Sequence, residues 1–147
     1  MKKIILIAII LSASLLTYSQ DLEKEAIKNV IQTAYVEGLQ NEGDQKKIES
    51  GFHPDFSLLI IGEGDEMRQY PISEWKSRQV NRRNAGELPL SKDKKVSVKF
   101  LNVDVSGSAA VVKLEFYIGD KLSYIDYISL YKFESGWRIV SKIFEEV

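Results

Sequence analysis

The stretch "YIDYISLYKFESGWRIVSKIF", from Tyr124 to Phe144, predicts two strands joined by a tight turn. We place the first strand from Leu122 to Phe133, because apolar or aromatic residues occupy both of its faces. Ser135-Gly136 is typical of turns, and the second strand is marked by Trp137, Ile139 and Ile143. The carboxyl end of the chain is therefore predicted to be a β-hairpin.

Two more strands are predicted immediately before this hairpin. In the first, apolar residues alternate up to Phe100 and then alternate in the opposite phase, which indicates a β-bulge near that residue. Turns are predicted at Ser106-Gly107-Ser108 and at Gly119-Asp120, and the strand between them has alternating apolar residues: Val112, Leu114, Phe116 and Ile118. The second half of the chain is thus predicted to be an antiparallel meander.

The chain before this meander is predicted to be mainly helical. A long amphipathic helix extends from a cap at Asp21 to Gly43, and Asp44 can cap a short second helix, Gln45 to Ser50. The apolar residues of the long helix recur at three- and four-residue steps: Leu22, Ala26, Ile27, Val30, Ile31, Ala34, Tyr35 and Leu39. Helices that are followed by an antiparallel meander favour an α+β domain.

The motif "FHPDF", Phe52 to Phe56, is interpreted as a helix-to-strand joint. Its proline restricts the preceding His53 to extended geometry, so a short buried strand is predicted from Phe56 to Ile61. A third helix is predicted from Ile72 to about Arg83, with Ser73 as its cap. A curved sheet with helices across its concave side would leave a pocket.

The first 19 residues have the layout of a secretory signal peptide. A basic start, Lys2 and Lys3, precedes an apolar run shorter than the roughly 20 residues that span a bilayer, and Thr17-Tyr18-Ser19 offers the small residues that a signal peptidase requires. The alternative is an uncleaved anchor or a buried helix. Cleavage after Ser19 leaves one domain, residues 20–147, with a formal charge of −3 and no cysteine. We therefore expect an exported protein, periplasmic or secreted, with no membrane attachment after cleavage and no nucleic-acid partner, because nucleic acid usually requires a basic face.

Three motifs resemble the nuclear transport factor 2-like (SnoaL-like) superfamily. They are "AYVEGLQNEGD" from Ala34 to Asp44, "FHPDF", and the terminal hairpin with Asp126, Leu130, Gly136, Trp137 and Lys142. The resemblance covers essentially the whole mature chain and is greatest to the lumazine-binding branch, common as small exported proteins in Bacteroidota-type bacteria. It implies a cone-shaped, cystatin-like α+β fold, with a curved antiparallel (mixed) sheet and amino-terminal helices on its concave face. The name of the branch implies a pteridine-like ligand.

Tyr35, late on the first helix, is the first candidate for ligand binding. In the ketosteroid isomerase branch of the superfamily, a tyrosine at the matching place donates a hydrogen bond to an oxyanion in the pocket. The isomerase also needs a carboxylate base, and the equivalent position here is Ile60, so that mechanism is not carried over. The alternative is that Tyr35 is a core residue on the apolar face of its helix.

Asp126, His53 and Trp75 are the other candidate ligand-binding residues. A carboxylate on an apolar strand face is costly unless it is paired or solvated, so Asp126 is either a pocket residue or the partner of Lys142 or Arg138. His53 titrates near neutral pH, and its structural alternative is to cap the second helix or to pack at the rim of the cone. One histidine and no cysteine predict neither a metal site nor a cofactor.

Four basic residues make the third helix locally basic: Lys76, Arg78, Arg82 and Arg83. An anion or a partner could dock there, although such a run is more often a solvated helix face.

The sequence as a whole predicts an exported domain that binds a small apolar or aromatic molecule in a cone-shaped pocket, with no catalytic residue assigned. One alternative is an enzyme of isomerase or hydrolase type that uses Tyr35 with Asp126 or His53. Another is a homodimeric structural or interaction module. A homodimer through the sheet is expected, because several residues, most of them aromatic, lie opposite the core parity: Tyr117, Ile125, Tyr127, Tyr131 and Phe133.

Overall fold

Helix α1 spans residues 19–42 in the computed structural model, which describes residues 19–147. The predicted signal peptide lies outside the described residues except for its last residue, so its cleavage stays a prediction. The second part of α1, Ile31–Glu42, has π-helical hydrogen bonding, which the sequence did not predict. The helix ends where predicted, because Gly43 adopts a left-handed conformation with φ 60°. A Cβ at this position would lie 2.4 Å from the backbone oxygen of Gln79, so only glycine fits.

The short helix α2, Gln45–Gly51, is capped as expected, since the Asp44 side chain accepts a hydrogen bond from the Lys47 backbone N–H at 3.1 Å. Strand β1, Phe52–Ile61, follows it without a linker and begins four residues earlier than predicted. The strand therefore includes His53 and its proline.

Strand β2, Met67–Pro71, was not predicted and pairs antiparallel with β1. Helix α3, Ile72–Asn84, starts directly after it. Its N-cap is Pro71 and no side chain caps it, so the prediction of Ser73 as the cap was wrong. A single 3₁₀ turn, Lys92–Lys94, lies in the loop that leads to the meander.

The remaining strands are the predicted meander: β3 (Val96–Ser106), β4 (Ala109–Ile118), β5 (Lys121–Phe133) and β6 (Gly136–Glu146). The sheet has the order β2-β1-β6-β5-β4-β3 and is mixed, because β1 is parallel to β6 while all other pairs are antiparallel. The register of β3 against β4 shifts between Phe100 and Asn102, which confirms the predicted bulge. The α+β architecture, an open curved sheet with three helices, is thus confirmed.

The core lies between the helices and one face of this sheet. It joins apolar residues of α1 and α2 to inward residues of every strand except β2: Ile27, Ile31, Leu39, Ile48, Phe56, Val103, Leu114, Ile128, Leu130 and Ile139. Each fully buried aliphatic side chain of this kind contributes about 1.5–3 kcal/mol. Two polar ties fix α1 across the sheet. At one end Glu23 accepts a hydrogen bond from the Trp137 indole at 2.6 Å, and at the other the buried Asn41 amide bonds both backbone groups of Val96.

Candidate functional site

A cavity of about 570 Å³ lies between α1, α3 and the inner face of the sheet. Its lining combines aromatic rings, aliphatic side chains and basic side chains: Tyr35, Gln40, Leu58, Trp75, Arg78, Arg82, Leu90, Lys94, Val96, Phe116, Ile118, Tyr124, Lys142 and Phe144. A concave, mostly apolar site with a few polar groups is the usual form of a small-molecule site.

Two lining residues, Tyr35 and Lys142, form a polar cluster with the buried Asp126, and we call this cluster the floor of the cavity. The Tyr35 hydroxyl donates to Asp126 Oδ2 at 2.8 Å, and Lys142 Nζ donates to Asp126 Oδ1. Asp126 is 0% exposed, so both carboxylate oxygens are used inside the protein. Asp126 lies opposite Phe144 and Ile128 lies opposite Lys142, so Asp126 and Lys142 are diagonal neighbours on one face of β5 and β6. The sequence had offered Lys142 or Arg138 as the partner of this acid; the contact is with Lys142.

Burial governs the ionisation of this cluster. It raises the pKa of Tyr35 well above the ordinary value, and the negative charge of Asp126 adds to the rise, so the phenol stays protonated and acts as a donor. Burial also lowers the pKa of Lys142, while the adjacent Asp126 carboxylate opposes that shift. Among the described residues no buried side-chain polar atom lacks a hydrogen-bond partner. The polar side-chain atoms of the floor therefore have their hydrogen-bond partners within the protein.

Aromatic rings form one wall of the cavity above this floor. The Tyr35 ring contacts Trp75 edge-on with 6.2 Å between centroids, and Phe116 lies 5.9 Å from it in a tilted arrangement. Tyr124 packs edge-on against Phe116 at 5.7 Å and against Phe144 at 5.4 Å. Such pairs contribute about 0.5–1.5 kcal/mol beyond their buried area, so the wall is rigid. The structure thus brings Trp75 and Asp126 into contact with Tyr35.

The mouth of the cavity is lined by basic residues. Arg78 and Arg82 lie three and seven residues after Trp75 on α3, which places all three on one helix face. The same helix also has basic residues on its solvated side, since Lys76 pairs with Glu49 and Arg83 with Asp44. The sequence favoured a solvated face for the whole run. The spacing of three and seven residues from Trp75 could have distinguished Arg78 and Arg82 from the basic residues on the solvated side.

His53 is not part of this cavity. Its ring stacks on Phe133 with 4.8 Å between centroids, and its Nδ1 accepts the Asp55 backbone N–H at 3.2 Å. It lines a second cavity of about 520 Å³ whose lining shares no residue with the first. The structure therefore does not bring His53 together with Tyr35, and the imidazole does not cap α2, whose C-cap residue is Phe52.

Leu58 is the β1 residue in the lining, while Ile60 packs partly buried against the core. Among the described residues, β1 contributes no carboxylate to the lining. Within residues 19–147 no group of three histidine, cysteine or acidic side chains is placed to hold a metal ion. Nor does that part of the chain contain a helix long and apolar enough to cross a membrane.

Comparisons with known proteins agree with the observed fold. The family model described as "putative lumazine-binding" matches residues 22–145. No curated protein matches the chain. Among solved structures, an NTF2-like protein of unknown function from Silicibacter pomeroyi DSS-3 has 21% identity and a TM-score of 0.66, covering 88% of this chain and 98% of its own. A second NTF2-like protein of unknown function, from Shewanella baltica OS155, has 20% identity and a TM-score of 0.62. The match covers 88% of this chain and 96% of the Shewanella chain.

A domain of unknown function with a cystatin-like fold, from Nostoc punctiforme PCC 73102, is similar with a TM-score of 0.57 at 12% identity, covering 86% of this chain and 78% of its own. At these identities the neighbours define the fold alone, and the family follows from the model that matches most of the chain. The chain is a member of the "putative lumazine-binding" family and has the NTF2-like fold.

Proposed function

We propose that this protein is a binding domain that holds a small apolar or aromatic molecule in the cavity between α1, α3 and the sheet. The observation that carries the proposal is the aromatic wall of Tyr35, Trp75 and Phe116 around a cavity of about 570 Å³. Flat rings gain both apolar burial and edge or stacking contacts from such a wall. The family name points the same way, since lumazine is a flat heterocycle.

Binding is favoured over isomerase or hydrolase chemistry by the state of the floor. A general base must reach the proton that it abstracts, within about 2.6–3.2 Å or through one water. Asp126 is fully enclosed and already accepts from Tyr35 and Lys142, while His53 lines a different cavity. An acid in that position stabilises the lysine charge and orients the tyrosine.

Native mass spectrometry tests this proposal most directly. Protein purified from its own host is expected to retain a small molecule, and the variant Leu90→Trp is expected to lose it, because the larger side chain fills the cavity. Met67→Asp is the control, since Met67 is 61% exposed and outside the cavity lining. In parallel, the neutral fluorophore N-phenyl-1-naphthylamine should bind saturably to the parent and the control only. Equal binding by all three proteins, or binding by none, would overturn the proposal.

The outer face of the sheet supports a homodimer as part of the same proposal. Apolar side chains of β4, β5 and β6 are exposed there: Val111 48%, Tyr127 39%, Tyr131 53%, Phe133 40% and Ile143 52%. A contiguous apolar face of this kind usually marks an interface. Sedimentation equilibrium should give a dimer that Tyr127→Asp dissociates, and a parent that sediments as a monomer would refute the interface.

Export is the remaining part of the proposal and follows from the basic and apolar start of the chain, residues 1–19. Amino-terminal sequencing of the protein from its host should begin at Gln20 or within a few residues of it. Recovery of the full-length chain from the cytoplasm would refute it.

A further inference from the structure

We propose that the ligand of the cavity is an aromatic anion, a flat ring system with one carboxylate, sulfonate or phosphate group that lies at the mouth between Arg78 and Lys94. This inference rests on the proposed binding function and adds the charge of the ligand and its orientation.

The charges around the cavity are unbalanced. Four basic side chains line it, and no aspartate or glutamate of residues 19–147 does. Two of the four are neutralised, Lys142 by Asp126 and Arg82 by Glu87, whose Oε2 lies 2.9 Å from the Arg82 Nε. Arg78 and Lys94 form no ion pair within 4 Å in the described part of the chain, and Asp93 interacts with the Lys94 charge without forming an ion pair. A cleft with low-dielectric walls and charges of one sign concentrates the opposite charge from solution.

The uncompensated charges are also in one place. Arg78 is on α3 and Lys94 is in the 3₁₀ turn of the next loop, and both are exposed while the floor at Asp126 is buried. In the aromatic wall, Trp75 shares its helix face with Arg78, and Phe116 packs on the Tyr35 ring, whose hydroxyl binds Asp126. A ring that packs on Trp75 and Phe116 therefore directs its other end to the mouth. There the guanidinium fork of Arg78 can bind a carboxylate or a similar oxyanion through two hydrogen bonds.

Two fluorescent probes separate the charge of the ligand from its ring. N-phenyl-1-naphthylamine and 8-anilinonaphthalene-1-sulfonate share one ring system, and only the second has an anionic group. Titration at low ionic strength should show the sulfonate binding about tenfold more tightly, since two exposed charge pairs of ordinary strength combine to that order. The preference should shrink as salt is added, because the cations are at the solvated mouth.

Matched variants then locate the effect. Arg78→Gln with Lys94→Gln should remove most of the tenfold preference and leave the neutral probe unchanged. The control is Arg83→Gln with Lys95→Gln, which changes the net charge equally at neighbouring positions outside the cavity lining. It should keep the preference within about twofold of the parent. The Arg83 contact with Asp44 is a surface ion pair, so its loss leaves the fold intact.

The two proposals fail in different ways. If both probes bind equally to the parent, or if the control loses the preference as fully as the mouth variant does, the anion proposal is overturned while cavity binding stands. If both probes bind just as well to Leu90→Trp and to a second cavity-filling variant, Ile118→Trp, the probes lie elsewhere and the binding function itself is overturned. A preference for the sulfonate probe that is lost in Arg78→Gln with Lys94→Gln, and kept in the control, supports both the binding proposal and the anion proposal.

Discussion

Replacing Lys142 with methionine should destabilise the fold strongly at neutral pH and only weakly in acid. Methionine keeps most of the apolar length of the lysine side chain. It lacks the ammonium group, whose Nζ lies 4.8 Å from the centroid of the Phe144 ring. The substitution therefore removes mainly the charge. Asp126 would keep only the hydrogen bond from Tyr35 and would hold an uncompensated charge in a site without solvent.

Removal of one partner of a buried ion pair costs about 3–5 kcal/mol. Solvent screening does not reduce this figure, because the side chains of Asp126 and Lys142 are 0% and 7% exposed. Protonation of the remaining carboxyl would remove the uncompensated charge. The folded variant then binds a proton more readily than the unfolded chain does, so its unfolding free energy falls as the pH rises. The deficit relative to the parent should therefore be smaller at about pH 4 than at about pH 7.

Urea unfolding of the parent and of Lys142→Met at both pH values measures this deficit, provided that the m-values agree. The matched control replaces the whole cluster, Tyr35→Phe with Asp126→Leu and Lys142→Met. Since no charge remains to be buried, it should recover to within about 1–2 kcal/mol of the parent at pH 7. A deficit for Lys142→Met below about 1 kcal/mol at pH 7, or one equal at both pH values, would show that the cluster is not a buried ion pair.

Three further predictions follow from single contacts. Tyr35→Phe should lower the unfolding free energy in urea by about 1–3 kcal/mol, because Asp126 loses a buried hydrogen-bond donor. Tyr35→Ala should lower it by about 3–5 kcal/mol or more, because the ring is lost as well. Equal unfolding free energies for the two variants would place the ring outside the core. Asn41→Ala should cost about 2–4 kcal/mol by thermal melting, because it leaves both backbone groups of Val96 unbonded, and a loss below about 1 kcal/mol would mean that water replaces the amide. The Lys47 backbone N–H, and next the Arg83 guanidinium, hold the pKa of Asp44 below its usual value. The stabilisation by this charge is therefore complete above about pH 4 and is lost progressively as the pH falls below that value. The parent should exceed Asp44→Asn by about 0.5–1 kcal/mol at pH 6 and by less at pH 3, and a difference of the same size at both pH values would refute a charge effect.

The meander was predictable because apolar residues alternate along β3 and β4, β5 is apolar or aromatic on both faces, and turn residues separate the strands. Strand β2 was not, since Met67 to Gln69 are exposed and the strand pairs only with β1 at the edge of the sheet. The π-helical segment Ile31–Glu42 was missed because the same apolar residues satisfy an ordinary helical spacing. The start of β1 was masked by its proline. The register with β6 is interrupted between Phe52 and Ser57, so no ladder bond is needed there.

The contact between Asp126 and Lys142 depends on a feature that no local pattern reveals. Near the turn, Leu130 lies opposite Ile139, but after a bulge Ser129 lies opposite Ser141, so β6 has one additional residue. Without that bulge Lys142 would lie opposite Tyr127, which is on the outer face, and would point away from Asp126. The sequence could therefore name two candidate partners for the acid and could not choose between them.

The division between floor and mouth has a consequence for how the ligand is selected. Both Asp126 oxygens already accept hydrogen bonds, so a ligand that bound to one of them would break a buried hydrogen bond. The free energy of the broken bond would offset that of the new one. Polar discrimination is therefore left to the solvated cations Arg78 and Lys94, whereas the floor end of the ligand is selected by apolar fit. Extending a probe toward the floor should strengthen binding by about 0.8 kcal/mol per buried CH₂ until the cavity is full. Moving the anionic group of the same probe to its floor end should abolish the preference for charge, and a probe that binds equally well in both forms would contradict this orientation.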